Sequence, residues 1–544
     1  MKAVQWMLTA LVGTTSAAPA SSHGDRQHDG PVAHVKNGTY VGRHLDSYNQ
    51  DVFLGIPFAE PPVGDLRFSN PVHFDAHWTG VREVKEYGPA CVGYGAAQIG
   101  YDVIWIFGGA FVQGSGVDRR YNMSFMVDRS VGIGQPIMAV TLNYRLGAWG
   151  FLGSEEVTAS GQSNFGLRDQ RLALAWIQEN IAAFGGDPSK VTIFGQSAGA
   201  ASVGFHLLAF DGRDDGLFRS AIMQSGGPLA LSSLTSPTQA AYDNLTATIG
   251  CSSNGDSLAC LKPTPYEVLN EAINSSALVR GAFGPKIDGD FIARYSSQQL
   301  ADEAFVHVPI IIGANSDEGT AYAPLNLNTT ADFIASLTSG DIPSDLAERL
   351  AELYPDDPTL PLELANLPNN FVPNASYGAY FRPAATYTGD RTFIAGRRLA
   401  AQTWAGAGLP VWSYRFNAIP AWANQMDGVA HFSEVAFSMY NIEGLGYEPV
   451  RKPPFEAKPE SYTELAELMS GDWVSFVAST DPNAWHGRRF LSGGEVAWPA
   501  YATEDEGKVN YVYDANMTSF VEKDDWRRVG IDAILSASVD VYER

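Results

Sequence analysis

The sequence has few cysteines and few basic residues, and it has no long apolar run beyond its first residues. It contains three cysteines, and its 36 Lys and Arg stand against 60 Asp and Glu, for a formal net charge of -24. The acidic balance argues against nucleic acid or an anionic membrane as a partner. No later segment offers the ~20 continuous apolar residues that span a bilayer, so stable membrane insertion is not expected. The cysteines lack zinc or haem spacing, so no metal site is predicted.

The composition does support a sizeable hydrophobic core. The chain has 544 residues, of which 45% are hydrophobic and 12% aromatic. This content excludes a disordered protein. No low-complexity linker, internal repeat or charge block divides the chain. We therefore predict a single domain over residues 30–544 with a helical insertion.

The N-terminus has the pattern of a secretory signal. Lys2 precedes an apolar run through Val12, and the small residues Ser16–Ala18 follow, so we expect cleavage near residues 18–20. Seven N-x-S/T sequons support a secreted, extracellular glycoprotein. The sequons begin at Asn37, Asn122, Asn244, Asn274, Asn328, Asn374 and Asn516.

The stretch Val191–Ala201 predicts a nucleophile. A short β-branched and aromatic run leads into the pattern G-x-S-x-G around Ser197, and small residues follow. This is the strand, sharp turn and helix that lift a serine hydroxyl above a sheet. Side chains at the flanking glycines would clash across so tight a turn.

Strand-like and helix-like segments alternate on both sides of this stretch. The pattern predicts an α/β fold with a mostly parallel central sheet flanked by helices, and residues 321–403 read as helices and loops. The predicted elements are a hairpin at Val32–Val35 and Gly38–Gly42, strands at 102–107, 136–142, 191–195, 221–226, 308–313 and 410–416, and helices at Asp169–Phe184 and Asp525–Ser536.

Three stretches carry a resemblance to the type-B carboxylesterase and lipase family. They are the Pro-rich loop Gly55–Phe68, the run from Asn164 to Pro188, and the turn at Ser197. The resemblance extends from about Pro31 to the C-terminus. It implies an α/β-hydrolase fold and a catalytic set in the chain order serine, acid, histidine.

The resemblance assigns the remaining catalytic residues. Glu318 follows the strand that ends at residue 313, and His431 lies in a G-V-x-H run that matches the family's histidine loop. Asp317 is a competing acid, although the family pattern favours Glu318. Glu434 is expected to orient the site or to lie on the surface. A carboxylate is needed because it fixes the tautomer of the imidazole that activates the serine.

The resemblance also implies an oxyanion hole and an ion pair. The N–H groups of Gly109, Ala110 and Ala198 would bind the oxyanion, and Ala110 stands where the family turn more often has a third glycine. Arg145 and Asp169 look like a structural ion pair below the site.

The sequence after Cys91 differs from the family pattern. Cys251 and Cys260 flank a turn that a disulfide could close, and they match the family's second disulfide. Members usually carry, soon after the residue that matches Cys91, a run reading roughly S-E-D-C-L-x-L-N-V, which supplies its disulfide partner, a carboxylate for Arg67 and a sheet strand. Here ten residues lead from Cys91 directly to Asp102. We therefore predict that one family strand is missing after Cys91.

These features predict a secreted serine hydrolase that cleaves small-molecule or lipid carboxylic esters through an acyl-enzyme on Ser197. Acyl transfer to water needs no cofactor. One alternative is a lipase or sterol esterase acting on long-chain esters. A second is a truncated, catalytically inactive or binding member of the same fold.

Overall fold

The computed structural model describes most of the chain. The described residues are 29–94, 105–229, 231–235, 238–253, 255–275, 283–357, 359–365, 373, 375–488 and 496–544. The predicted signal, the sequon asparagine Asn374 and residues 95–104 after Cys91 lie outside them. The missing family strand therefore stays a prediction.

A six-stranded sheet forms the centre of the fold. Its order is β11-β10-β9-β8-β7-β6, with β6 to β10 parallel and β11 antiparallel at the edge. Smaller sheets join β1, β2 and β5, and β3 with β4. The strands are β1 (Val32–Val35), β2 (Gly38–Val41), β3 (Arg43–Leu45), β4 (Gln50–Val52), β5 (Val81–Glu83), β6 (Thr192–Gln196), β7 (Ser220–Gln224), β8 (Ile310–Asn315), β9 (Val411–Phe416), β10 (Val509–Tyr513) and β11 (Phe520–Lys523).

Helices cover the sheet and complete the alternation that the sequence predicts. They are α1 (Ser124–Gly132), α2 (Gly147–Phe151), α3 (Glu155–Ala159), α4 (Phe165–Asn180), α5 (Ala198–Gly212), α6 (Thr238–Ile249), α7 (Ser257–Leu261), α8 (Tyr266–Ile273), α9 (Ser296–Ala301), α10 (Thr330–Ser339), α11 (Ser344–Leu353), α12 (Phe381–Gly389), α13 (Ala395–Gly406), α14 (Val435–Ser438), α15 (Glu460–Ser479) and α16 (Arg528–Ser536). No helix in the described ranges is long and apolar enough to cross a membrane.

The inner strands are apolar because both of their faces are covered. Every residue of β7 and β8 is buried. Their register pairs Ile222 with Ile311 and Gln224 with Gly313, so the strands end together at one edge of the sheet. In a parallel sheet flanked by helices, ligands bind at this carboxyl edge. The loops after β6, β8 and β9 are therefore the ones that can build a site.

The prediction of a strand at residues 136–142 is wrong for this structure. These residues form no strand. The backbone N–H groups of residues 138–144 have no hydrogen-bond acceptor within the described ranges. An apolar run forms a strand only where a neighbouring strand can accept its hydrogen bonds. At residues 102–107, the described part makes one bridge, Ile106 to Gly195 beside β6.

Two of the three cysteines are paired and one is free. Cys251 and Cys260 form the expected disulfide, with their Cα atoms 5.7 Å apart. Cys91 is a free, partly buried thiol.

The Arg67 guanidinium donates to the carbonyl oxygens of Lys262, at 3.0 Å, and Thr264. Backbone oxygens just beyond the end of α7 thus accept from Nη1 of Arg67.

Candidate active site

Ser197 lies at the tight turn between β6 and α5. Its backbone has φ 58° and ψ −126°, a combination that few non-glycine residues adopt and that is found at strained functional turns. The turn is held because the Ser197 N–H donates to the Gln224 carbonyl at 2.8 Å. A Cβ atom on Gly199 would lie 1.6 Å from the Ile106 carbonyl oxygen, so only glycine fits beside the serine.

Glu318 and His431 meet at the same edge of the sheet. Glu318 follows β8, and His431 lies in the loop after β9. Nδ1 of His431 lies 2.6 Å from Oε2 of Glu318. The Glu318 carboxylate is fully buried. A carboxylate in this position selects the tautomer that carries a proton on Nδ1 and leaves Nε2 free to accept one.

The second oxygen of Glu318 is also bound. Oε1 accepts the Asn315 N–H at 2.8 Å and the Ser225 hydroxyl at 2.5 Å. Three donors therefore fix the carboxylate, the imidazole among them. Such a fixed acceptor stabilises an imidazolium without having to reorient during the reaction.

Asp317, the competing acid, binds backbone groups instead. Its carboxylate accepts the N–H of Leu364 at 2.6 Å and that of Val429 at 2.7 Å. Burial raises the pKa of Asp317. Its two oxygens are thus engaged away from the imidazole, which leaves Glu318 as the acid at His431.

Gln196 lies between the serine turn and the imidazole. Its Nε2 atom is 3.3 Å from Nε2 of His431. Since Gln196 directly precedes Ser197, the imidazole lies close to the serine turn. The Ser197 hydroxyl has no hydrogen-bond partner in the part of the chain that the structure describes. Hydrogen bonds between catalytic groups are often long or poorly aligned without substrate and tighten when substrate binds.

The backbone turn after Ile106 lies against the serine. A Cβ atom on Gly108 would lie 2.8 Å from Cβ of Ser197. Gly109 has φ 105° and Ala110 has φ 55°. The N–H groups of Gly109, Ala110 and Ala198 find no acceptor among the described residues. Free backbone donors beside a nucleophile can bind an oxyanion.

Several residues around the site were not predicted. Phe393 stacks on the imidazole of His431, with ring centroids 4.6 Å apart, and Tyr322 meets it edge-on at 5.4 Å. Phe393 belongs to a π-helical turn, Asp390–Ile394, a distortion common at functional sites. No sequence pattern marks this turn. Gln196, in contrast, directly precedes Ser197, and its position in the G-x-S-x-G pattern marks it as a neighbour of the serine.

Glu434 orients groups behind the acid and is not a surface residue. It is fully buried and accepts from Asn315 Nδ2 at 2.7 Å and from Gln224 Nε2 at 3.1 Å. Burial, and then the charge of Glu318, raise the pKa of Glu434. Glu434 therefore supports the loops that carry the acid and the serine.

Arg145 and Asp169 form the expected buried ion pair. Arg145 Nε donates to Asp169 Oδ2 at 2.8 Å and Nη2 donates to Oδ1 at 2.7 Å. Both residues line a cavity of about 2020 Å³ that neither Ser197 nor His431 lines. Within the described ranges, no group of three or more His, Cys, Asp or Glu side chains is arranged to hold a metal ion.

Comparisons with known proteins identify the family of the chain. The model of the carboxylesterase family matches residues 29–98 and 103–527. Lipase 4 of Diutina rugosa is 32% identical over 570 residues, which cover 93% of this chain and 96% of that protein. Secreted lipase 1 of Botryotinia fuckeliana (strain B05.10) is 32% identical, covering 83% and 84%.

A solved structure is similar over nearly the whole chain. The crystal structure of Aspergillus niger EstA superimposes with a TM-score of 0.78 at 25% identity, covering 95% of this chain and 99% of that one. The predicted resemblance and the predicted α/β-hydrolase fold are confirmed. The family match is interrupted at residues 99–102, within the stretch that follows Cys91.

Proposed function

We propose a serine mechanism for this chain, which belongs to the carboxylesterase family and is a carboxylic ester hydrolase. The observation that carries the proposal is the 2.6 Å contact between His431 Nδ1 and Glu318 Oε2, beside the strained turn at Ser197. A serine, an imidazole and a buried carboxylate that orients the imidazole are the parts that acyl transfer requires.

The reaction starts at the Ser197 hydroxyl. His431 Nε2 takes its proton as the oxygen attacks the ester carbonyl, and Glu318 stabilises the imidazolium that forms. The N–H groups of Gly109, Ala110 and Ala198 bind the oxyanion of the tetrahedral intermediate. The imidazolium then protonates the departing alcohol and leaves an acyl-enzyme, which water hydrolyses by the same steps.

Substitution of the serine tests this mechanism. Ser197→Ala should lower kcat on a short p-nitrophenyl ester about 10⁴-fold or more and leave thermal stability nearly unchanged. The matched control is Ser202→Ala in α5, since the Ser202 hydroxyl donates to the Ala198 carbonyl at 2.9 Å and has no place in the mechanism. Turnover that persists in Ser197→Ala would mean that another residue is the nucleophile.

A lipase is the second candidate, because relatives that span most of this chain are named lipases. A series of p-nitrophenyl esters from acetate to palmitate separates the two activities. A lipase gains kcat/KM with chain length and at an oil–water interface. A carboxylesterase loses kcat/KM with chain length. A protein that binds these esters without turnover would be an inactive member of the fold.

We also propose that the protein is secreted and glycosylated. The N-terminal pattern supports this, and two relatives are named secreted lipases. Asn274 and Asn516 are exposed, whereas Asn37 is 6% exposed and donates to the Phe74 carbonyl at 3.1 Å. Peptide mapping should therefore find glycans at Asn274 and Asn516. A glycan at Asn37 would contradict its burial.

A further inference from the structure

A short segment far from Glu318 in sequence crosses the turn that carries it. Residues 361–364, here named the strap, bind neighbouring elements at successive positions. The Pro361 carbonyl accepts from Arg527 Nη1 at 2.5 Å, and the Glu363 carbonyl accepts from Arg382 Nε at 3.1 Å. The Glu363 N–H donates to Thr386 Oγ1 at 2.9 Å. Arg382 and Thr386 belong to α12, so the strap is fixed to that helix.

The Glu363 side chain reaches from the strap to the turn of residues 317–319, here named the acid turn. Both carboxyl oxygens lie within hydrogen-bond distance of the Gly319 N–H, at 2.9 and 3.1 Å. Gly319 directly follows Glu318. Glu363 is 1% exposed, so water cannot replace it as the acceptor for this N–H.

Asp317 ties the same turn to the strap and to the histidine loop. One of its oxygens accepts the Leu364 N–H and the other accepts the Val429 N–H. The N–H of Asp317 donates in turn to the Val429 carbonyl at 3.1 Å. Glu318 therefore lies between two residues that are each held by the strap, and one of them also holds the loop of His431.

The charges around Glu363 are mixed. Asp317 and Asp390 face it with negative charge, and Arg527 faces it with positive charge, although Arg527 is itself paired with Asp390 at 2.6 and 2.7 Å. Burial, and then the charge of Asp317, raise the pKa of Glu363 well above its usual value. A neutral carboxyl group keeps its carbonyl oxygen as an acceptor, so the bond to Gly319 does not require ionisation.

We propose that Glu363 is a positioning residue for the catalytic acid. Through the Gly319 N–H it fixes the turn of residues 317–319, and with it the Glu318 carboxylate that orients His431. This role rests on the proposed serine mechanism. Misplacement of a catalytic group by about 1 Å costs on the order of 10²-fold in rate, so loss of this contact should appear in kcat.

Three substitutions of Glu363 in the full chain test the proposal. Glu363→Gln keeps an acceptor for the Gly319 N–H, Glu363→Ala removes it, and Glu363→Asp withdraws it by one methylene. We expect kcat within about threefold of wild type for Gln, and a loss of about tenfold or more for Ala and Asp, with KM little changed. The acidic limb of the kcat/KM profile should move for Ala and Asp but not for Gln.

The control is Asp472→Ala, which also removes a fully buried carboxylate. Asp472 binds Arg488 and Tyr513 and touches no residue of the acid turn. All variants are assayed at least 15 °C below their own midpoint of unfolding, where Asp472→Ala should keep the wild-type kcat. If Glu363→Ala does not fold, the comparison of Asp with Gln decides.

Covalent labelling separates this proposal from the serine mechanism. A fluorophosphonate should label Ser197 of the wild type fast, and of Glu363→Asp about tenfold or more slowly. An unlabelled wild type would overturn the serine mechanism. A labelled wild type with equal kcat, equal pH profile and equal labelling rate in Glu363→Asp would overturn the positioning role alone.

Discussion

Asp317 and Glu318 are neighbours in the chain, yet their carboxylates bind different parts of the histidine loop. Asp317 accepts the Val429 N–H at 2.7 Å, and Glu318 accepts from the imidazole of His431 at 2.6 Å. Both acids are buried. Their difference in role follows from which group each one meets.

This division predicts different effects for matched substitutions. Glu318→Gln should lower kcat by about 10³-fold or more, because an amide does not stabilise the imidazolium. Asp317→Asn should keep kcat within about tenfold, while the loss of one backbone acceptor lowers the free energy of unfolding by about 1–3 kcal/mol. Ester kinetics and urea denaturation measure both. The assignment is reversed if Asp317→Asn is the inactive variant.

The contact between Gly108 and the serine turn predicts a second pair of variants. A Cβ atom on residue 108 would lie 2.8 Å from Cβ of Ser197 and 2.7 Å from the Gln196 carbonyl oxygen. Gly108→Ala should therefore displace the nucleophile and lower kcat about 10²-fold. Gly132→Ala in α1 is the control, since its Cβ atom would meet nothing within 4 Å. Equal activity of the two variants would contradict the close packing at Ser197.

The buried Glu363 predicts a pH dependence of stability. Because its pKa in the fold lies above the unfolded value near 4.5, its stabilising contribution is full below that value and is lost as the pH rises through the folded pKa. Glu363→Gln cannot ionise. The free energy of unfolding of Glu363→Gln should therefore rise relative to that of the wild type between pH 4 and pH 8.

Urea denaturation at both pH values measures this gain. The exposed Glu464 on α15 provides the control, as Glu464→Gln. A difference between Glu363→Gln and wild type that does not change with pH would mean that Glu363 ionises as freely in the fold as in the unfolded chain.

The free thiol of Cys91 should be unreactive in the native protein. Burial raises the pKa of Cys91 to about 12, so almost none of it is thiolate at neutral pH. Iodoacetamide at pH 7.5 should alkylate Cys91 only after unfolding in urea. A non-reducing digest should show Cys251 linked to Cys260 in the same sample. Fast native alkylation, or a Cys91 disulfide, would contradict this expectation.

The predicted absence of one family strand after Cys91 implies that an insertion there can complete the sheet. Residues 138–144 have no backbone acceptors within the described ranges and line the 2020 Å³ cavity together with Ile56 and Trp176. Insertion of the family run between Cys91 and Asp102 should raise the midpoint of thermal unfolding by several degrees, because it supplies hydrogen bonds and apolar contacts. A Gly/Ser insert of equal length is the control. Equal midpoints for the two inserts would show that no strand is missing.

Much of the fold could be predicted because its signals are local. The apolar runs at β7, β8 and β9 and the helix before Gly185 lie close to their predicted positions. The run at residues 136–142 is as apolar as these, but strand formation depends on a partner that the sequence of the run does not specify. No strand is predicted from the sequence at β10 or β11. These two strands pair with each other at one edge of the sheet, near the C-terminus.

The candidate site was predictable in part. The turn at Ser197 carries its own pattern, but neither Glu318 nor His431 could be selected from the acids and ten histidines without the family resemblance. Phe393 and Glu363 reach the site through tertiary packing. Glu363 is 44 residues from Gly319, and nothing near it in sequence marks a contact with the acid turn.

The central claim is that Ser197 is the nucleophile, and a covalent label tests it most directly. Active protein is treated with a fluorophosphonate, and the intact mass and the modified peptide are determined. We predict one adduct per chain, on Ser197, with activity lost in proportion to labelling. An adduct on another residue, or full labelling of Ser197 with activity retained, would contradict the claim.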